Sequence, residues 1–153
     1  MLQLDPQRGR DLAEGPHQDV RRRFDGGQRR IVNGIVTSFA GGALTRSNFR
    51  LFSLTVSPSL WLLDRVSDYR VFQELDILEI AKKILDEAAV TFTKSTQGSY
   101  AKRDYCVQFG ETNLAFLQRL FAEEGIFYYF THADGSHKLV LADHAGAYGD
   151  CAQ

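Results

Sequence analysis

The sequence is poor in cysteine, proline and histidine, and it carries almost no net charge. Its 153 residues include two cysteines, three prolines and four histidines, with a formal net charge of −1. Cys106 and Cys151 lie far apart and outside any CxxC pattern, so we expect two reduced thiols. Because there is no global basic field, the charge argues against nucleic acid or an anionic membrane as a partner.

Long apolar runs are also missing. No stretch approaches the roughly 18–20 residues that cross a bilayer, and the start, MLQLDPQRGRDLAEG, lacks the apolar core of a Sec signal peptide. We therefore expect a cytoplasmic protein without a membrane anchor. Later export by a machine that ignores signal peptides stays open.

Catalytic motifs are absent as well. The sequence contains no GxSxG, GxxxxGK[ST] or GxGxxG pattern, and Cys106 has no obvious histidine partner in sequence. Glu123 and Glu124 are neighbours on a predicted helix, so their side chains should diverge by about 100° and not form an acid–base pair. We predict no catalytic residue, and a hydrolytic effector enzyme is the alternative from another functional class.

Three of the four histidines lie close together near the end of the chain. His132 and His137 flank a predicted hairpin turn and can face each other, and His144 follows Asp143. No cysteine or carboxylate stands at a recognised ligand spacing. Surface histidines are therefore favoured over a metal site, and we predict no metal and no cofactor.

Aromatic residues are plentiful, and they favour strands and contact surfaces. The chain has eleven Phe, six Tyr and one Trp. Residues 1–22 lack this character and are predicted to be a disordered or unrelated segment. The arginine run at 21–23 is diluted by nearby acids and is interpreted as a solvated surface.

Strands are predicted where β-branched residues concentrate. One covers 30–39, with Gly34 as a bulge or bend and Gly41-Gly42 as its end, and a second covers 48–56 before Pro58. Short strands are expected at 90–93 and 105–109. The pair Asp134-Gly135 between apolar runs predicts a hairpin over 126–142.

Two main helices and one short helix are predicted. The apolar stripe over 76–88 begins at the N-cap Asp76 and includes a Glu79–Lys83 pair. A second helix covers 113–124, between Thr112 as N-cap and Gly125 as the C′ residue. The short helix covers 59–65.

The order of elements predicts an α+β fold with antiparallel, barrel-like β elements and two main helices. We expect part of a first barrel-like subdomain over 23–66, a second subdomain over 67–145, and a frayed tail over 146–153.

The segment 106–130 reads CVQFGETNLAFLQRLFAEEGIFYYF. It resembles the signature run of the VgrG, or Rhs-element Vgr, family. The matching positions that we single out are Gln108, Glu111, Thr112, Phe116, Arg119, Leu120, Glu123, Glu124, Gly125, Ile126 and Phe130. Similar family segments occur at 30–36, 56–63 and 70–73, in the family's order. The run is interpreted as a folding signature with structural roles, including an Arg119–Glu123 pair.

The resemblance implies a structural part of the type VI secretion spike, similar to the baseplate hub of a tailed phage. It implies a homotrimeric base that stacks on the secretion tube protein, with effectors and a tip protein carried on the assembly and secretion without a signal peptide. The hub of a contractile phage tail or tailocin is the alternative. Because an apolar strand before Arg30 and the domains after Asp143 are not recognised, we expect a fragment that cannot form a working spike alone.

Overall fold

The computed structural model describes residues 18–23, 29–44 and 49–148. The predicted N-terminal segment up to residue 17, and the predicted tail from residue 149 with Cys151, lie outside this part. The strands are β1 Gln18–Arg23, β2 Arg29–Leu44, β3 Arg50–Ser57, β4 Ser67–Phe72, β5 Phe92–Ser95, β6 Cys106–Thr112, β7 Phe127–Ala133 and β8 Ser136–Ala142. The helices are α1 Ile77–Glu87 and α2 Asn113–Glu123, with 3₁₀ segments at Ser59–Arg65 and Ala145–Ala147.

The chain divides into two compact units. The described residues up to Ser59, together with His132–His137, form the first unit, and Leu60–Thr131 with the described residues from Lys138 onward form the second. The division thus falls at Leu60, earlier than our predicted subdomain boundary after residue 66. The tip of the hairpin also groups with the first unit, which the sequence did not indicate.

The first unit contains the antiparallel sheet β1–β2–β3. Strand β1 corrects the prediction that residues 18–22 lack regular structure. Strand β2 also continues through Gly41-Gly42 to Leu44, because its ladder with β3 shifts register there instead of ending. A bulge or bend was predicted at Gly34, but the nearest register shift lies between Val36 and Ser38. A Cβ at Gly34 would lie 2.6 Å from the Ser57 carbonyl oxygen.

The second unit has a core between its helices and sheets. Helix α1 begins at a capping box, in which the Asp76 carboxylate accepts from the Glu79 N–H and Glu79 accepts from the Asp76 N–H. Glu79 is therefore used at the cap, and the i,i+4 ion pair of α1 joins Lys82 to Asp86 rather than Glu79 to Lys83. The buried apolar face includes Ile77, Ile80, Ile84, Leu85, Phe116, Leu117 and Leu120.

The strands of the second unit show two departures from the sequence prediction. Strand β4 was not predicted, and it pairs antiparallel with β6. Strand β5 pairs with β8 in parallel, so the expectation of antiparallel strands fails for this pair. A parallel pair needs a long connection, and here the chain passes through β6, α2 and β7 before it returns.

The local signals at the start and end of α2 and at the hairpin turn were predicted correctly. Thr112 caps α2 by accepting from the Ala115 N–H at 3.1 Å, and Gly125 follows the helix with φ 69°. Gly135 turns the β7–β8 hairpin with φ 76°. Neither α1 nor α2, the helices of the described residues, has the length and apolarity that a membrane crossing requires.

Candidate functional site

A buried polar network joins β4, β6 and both helices of the second unit. Gln108 is fully buried, and its side-chain oxygen accepts from Arg70 Nε at 3.1 Å. Its amide nitrogen donates to the Glu111 carbonyl at 3.0 Å and to Asn113 Oδ1 at 2.9 Å. Arg70 also donates to Asn113 Oδ1 at 2.6 Å and to Glu87 at 2.7 Å. The network satisfies polar groups that would otherwise be costly to bury.

Arg103 binds both glutamates at the end of α2. Its two terminal nitrogens each lie 2.7 Å from a carboxylate oxygen, one of Glu123 and one of Glu124. The predicted divergence of these two carboxylates is therefore wrong, because Glu124 is the C-cap (φ −101°, ψ 3°) and has left helical geometry. The hydrogen bonds that Arg103 donates to Glu124, and then to Glu123, raise the pKa of Arg103, and the bond from Arg103 lowers the pKa of Glu123.

Arg119 forms a second cluster on the same helix. It donates to Glu111 Oε1 at 2.6 Å and to the Val107 carbonyl at 3.2 Å. It also lies 3.3 Å from Glu123, which confirms the predicted i,i+4 pair. Hydrogen bonding to Glu111 raises the pKa of Arg119. The side chain thus ties α2 to β6.

Asp143, which follows β8, holds the loop after β5. Its carboxylate accepts from the Gln97 N–H at 2.9 Å, the Gly98 N–H at 2.7 Å and the Tyr100 hydroxyl at 2.8 Å. The two backbone hydrogen bonds lower the pKa of Asp143. Burial, followed by the bond to Asp143, raises the pKa of Tyr100 to about 12. The Asp143 carboxylate is therefore an anchor that holds the loop after β5 to the end of β8.

Replacing Asp143 by asparagine is expected to lower the melting temperature by several degrees at pH 7. Because the pKa of Asp143 is lowered in the folded chain, its contribution is fully present above its usual value of 3.8 and is lost as the pH falls through the lowered pKa. The difference in melting temperature between the two proteins, followed from pH 7 to pH 2.5, should therefore begin to narrow below about pH 4 and shrink further as the pH falls through the lowered pKa. The exposed Asp104, changed to asparagine, is the control, and a gap that stays constant with pH would contradict the assignment.

His132 and His137 face each other across the hairpin of the first unit, as the sequence predicted. Their ring centroids lie 6.0 Å apart. His132 Nδ1 accepts from the Asn33 N–H at 3.1 Å, and His137 Nε2 accepts from the Ser59 N–H at 2.9 Å. Both rings thus have structural hydrogen bonds. Within the described residues, no group of three or more His, Cys, Asp or Glu side chains is placed to hold a metal ion.

Cys106 is buried on β6. Burial raises the pKa of its thiol, although Arg103 and Arg119 act in the opposite direction. A raised pKa disfavours the thiolate that nucleophilic chemistry requires. The environment of Cys106 therefore favours a packing role.

The remaining signature residues shape the turn and the core. Phe116 and Leu120 are fully buried, and Phe116 stacks on Phe72 with a centroid distance of 5.6 Å. The Ile126 N–H donates to the Phe121 carbonyl at 2.8 Å beyond the end of α2. Phe130 packs against the core from β7.

Sequence reasoning did not single out several residues that build the site: Arg70, Tyr100, Arg103 and Asn113. Arg70 stood in a recognised segment, but no strand was predicted there to orient it. Arg103 lies in a polar loop whose sequence gives no local sign of its partners. Asn113 was part of the resemblance, and its position beside the N-cap Thr112 was the available signal.

Comparison with known proteins identifies the family of the chain. Residues 4–153 match the family model described as the phage tail baseplate hub (GPD). The chain belongs to this family. The match begins at residue 4 and therefore includes most of the segment over 1–22 that was expected to be disordered or unrelated.

Similar curated proteins include spike proteins of type VI secretion. VgrG1c of Pseudomonas aeruginosa is 37% identical over 139 residues, which is 90% of this chain and 19% of that protein. VgrG1b of the same organism is 38% identical over 123 residues, 80% of this chain and 16% of that protein. The actin cross-linking toxin VgrG1 of Vibrio cholerae is 34% identical over 113 residues, 73% of this chain and 10% of that protein. The chain thus spans about a fifth or less of these relatives.

A solved structure with the same fold is that of the E. coli c3393 protein. It superimposes with a TM-score of 0.77 at 23% sequence identity, over 87% of this chain and 38% of that one. That protein is described as a component of the type VI secretion system with structural similarity to the T4 tail proteins gp27 and gp5. The predicted α+β, hub-like fold and the resemblance to the VgrG family are therefore confirmed.

Proposed function

We propose that this chain is a structural component of a type VI secretion spike. It forms part of a homotrimeric, hub-like base that stacks on the secretion tube protein and helps to deliver effectors into target cells. The observation that carries this proposal is the similarity to VgrG1c over 90% of the chain. Assembly takes place in the cytoplasm, and the type VI machine then exports the spike.

The bonding of the signature residues supports a scaffold rather than an enzyme. Glu111 is paired with Arg119, and Glu123 and Glu124 are paired with Arg103. A general acid needs a carboxyl group whose pKa is raised, whereas the pKa of Glu123 is lowered. These carboxylates fix the end of α2 and the strand before it, which is what a rigid base requires.

The hub of a contractile phage tail or tailocin is the second candidate. The family description, phage tail baseplate hub, favours it. Sheath and tube genes of a secretion system beside the gene for this chain would support the spike, whereas phage tail genes would support the hub of a tail.

A chimeric spike tests the proposal directly. The segment of P. aeruginosa VgrG1c that matches this chain is replaced by residues of this chain, in a strain whose apparatus depends on VgrG1c. Because the match covers 139 residues at 37% identity, we expect the chimera to restore release of the tube protein into the medium. The reintroduced, unaltered VgrG1c is the matched control.

Immunoblots of the cell fraction are needed to interpret the result. A chimera that is soluble and present at the level of the control, but releases no tube protein, would refute the proposed role. Detectable hydrolysis by the purified chain that is lost on changing Glu111 or Glu124 to glutamine would favour the enzyme alternative instead.

A further inference from the structure

The ladder between β2 and β3 stops next to the tip of the β7–β8 hairpin. Its last pair at this end joins Ile35 to Ser57, and Pro58, which follows, has no N–H with which to continue it. Two residues beyond this pair lie Asn33 on β2 and Ser59 after β3. The backbone N–H groups of these two residues donate instead to side chains of the hairpin tip.

Two histidines of the tip accept from these N–H groups. His132, near the end of β7, accepts through Nδ1 from Asn33 at 3.1 Å, and His137, near the start of β8, accepts through Nε2 from Ser59 at 2.9 Å. All four residues belong to the first unit. We call the two rings and the two N–H groups the histidine clasp.

The clasp fixes the protonation state of both rings. A neutral imidazole has one acceptor nitrogen, and an imidazolium has none. Because a backbone N–H can only donate, His132 is neutral with its proton on Nε2, and His137 is neutral with its proton on Nδ1. The Ser59 hydroxyl, 2.9 Å from His137 Nε2, can accept from a protonated ring, but the Ser59 N–H cannot. Protonation of either ring therefore breaks a backbone hydrogen bond.

Two further effects act against protonation while the tip stays in place. The centroids of the His132 and His137 rings are 6.0 Å apart, so two imidazolium charges repel each other at short range. Asn33 is 1% exposed, so its N–H cannot replace the lost acceptor with bulk water. Movement of the tip away from β2 relieves both effects, because it admits water to the rings and to the Asn33 N–H.

Charged residues on the surrounding strands influence the pH of this change. The nearest ones along each element are Asp19 on β1, which lies opposite Asn33 in the register, Arg30 on β2, Asp134 in the hairpin turn and Lys138 on β8. A neighbouring acid favours the charged form of a ring, and a neighbouring base favours the neutral form. Neither restores the acceptor nitrogen that protonation removes, so these residues set the pH of release and not whether release occurs.

We propose that the histidine clasp is a pH-sensitive switch, which holds the hairpin tip to the end of the β2–β3 ladder when both rings are neutral and releases it when they are protonated. Histidine ordinarily takes up a proton near about pH 6.5. Because the bonds of the clasp exist only with neutral rings, the tip is held at pH 7.5 and released at pH 5. The switch needs no partner chain, so this inference does not depend on the proposed function.

Hydrogen exchange of the 153-residue chain, resolved by residue with NMR at pH 7.5 and pH 5, tests the switch. The protection factor of an amide is its exchange rate in an unfolded chain divided by its observed rate, which corrects for the effect of pH on the chemistry of exchange. We expect the protection factors of the Asn33 and Ser59 N–H groups to fall at least tenfold from pH 7.5 to pH 5. The Ile126 N–H, bonded to the Phe121 carbonyl in the second unit, is the internal control and should keep its protection.

The double variant His132→Asn with His137→Gln removes the titration and keeps the acceptors. The new asparagine oxygen takes the place of Nδ1 and the new glutamine oxygen that of Nε2, and neither amide takes up a proton in this pH range. We expect the protection factors of Asn33 and Ser59 in this variant to agree within about twofold at the two pH values. His144→Asn removes a histidine outside the clasp and should behave like the unaltered chain.

Three results overturn the switch: equal protection of the unaltered chain at both pH values, an equal loss in the double variant, and a loss that the Ile126 N–H shares. Imidazole ¹⁵N chemical shifts of the unaltered chain add a measurement that needs no variant, so the test stands even if the double variant does not fold. The protonation of His132 and His137 should follow the loss of protection as the pH falls. Rings that stay neutral while protection falls, or become charged while it persists, also overturn the switch.

Discussion

Replacing Phe116 by alanine is expected to lower the free energy of unfolding of the second unit by about 3–5 kcal/mol. Phe116 is fully buried and stacks on Phe72, with the Arg119 guanidinium 5.3 Å from its ring. The substitution removes buried apolar surface and leaves a cavity between α2 and β4 that these elements cannot close. Such a loss is a large fraction of the stability of a typical domain.

Urea denaturation followed by tryptophan fluorescence measures this effect. Trp61 is the single tryptophan, and it lies in the second unit between the buried residues Leu60 and Leu63. Tyr105→Ala is the matched control, because Tyr105 is 69% exposed and its truncation leaves no cavity. A midpoint for Phe116→Ala that stays close to that of the control would show that the ring is not part of a tightly packed core.

Replacing Gln108 by leucine is expected to cost about 3 kcal/mol. The leucine has a similar size, but it leaves Arg70 Nε and the Glu111 carbonyl without the partners that Gln108 provides. Each unsatisfied buried group costs roughly 1–3 kcal/mol. The loss of stability should therefore come from the buried polar groups that have lost their hydrogen bonds to Gln108.

The double variant Gln108→Leu with Arg70→Met separates this cause from a packing defect. Because the second substitution removes the Arg70 Nε that has lost its bond to Gln108, the double variant should be more stable than the sum of the single effects by about 1–3 kcal/mol. The same cycle with Val107→Ala in place of Gln108→Leu is the control, since Val107 lies on the opposite side of β6. Strictly additive effects in the Gln108 cycle would mean that the network has no energetic coupling.

Short-range signals explain what the sequence predicted well. Asp76 and Thr112 cap their helices, and Gly125 and Gly135 supply the positive φ that a helix end and a hairpin need. Each of these features depends on residues within a few positions of each other. That is why α1, α2 and the β7–β8 hairpin were predicted close to their observed bounds.

Strand β4 escaped prediction because its polarity is inverted. In an ordinary half-buried strand the apolar side chains face the core. In β4 the buried network takes Arg70 on the inner side, while Tyr69 and Val71 point outward. Polar and apolar residues do alternate along β4, but the side with Arg70, which the pattern predicts to be exposed, is the buried side.

The candidate site was only partly predictable, because its partners are distant in sequence. The network joins Arg70 to Gln108, and the anchor joins Gln97 to Asp143. Pairings over such separations leave no local pattern. The expected divergence of Glu123 and Glu124 failed because Glu124 is the C-cap and because Arg103, from a distant loop, binds both carboxylates.

The position of the β7–β8 hairpin in the chain has a consequence for the order of folding during synthesis. Its stem supplies β8, on which β5 pairs, and its tip, His132–His137, belongs to the first unit. A ribosome that has made β1 to β6 has therefore completed neither unit. Both units receive residues from this one late segment, so we expect neither unit to close before the hairpin has been synthesised.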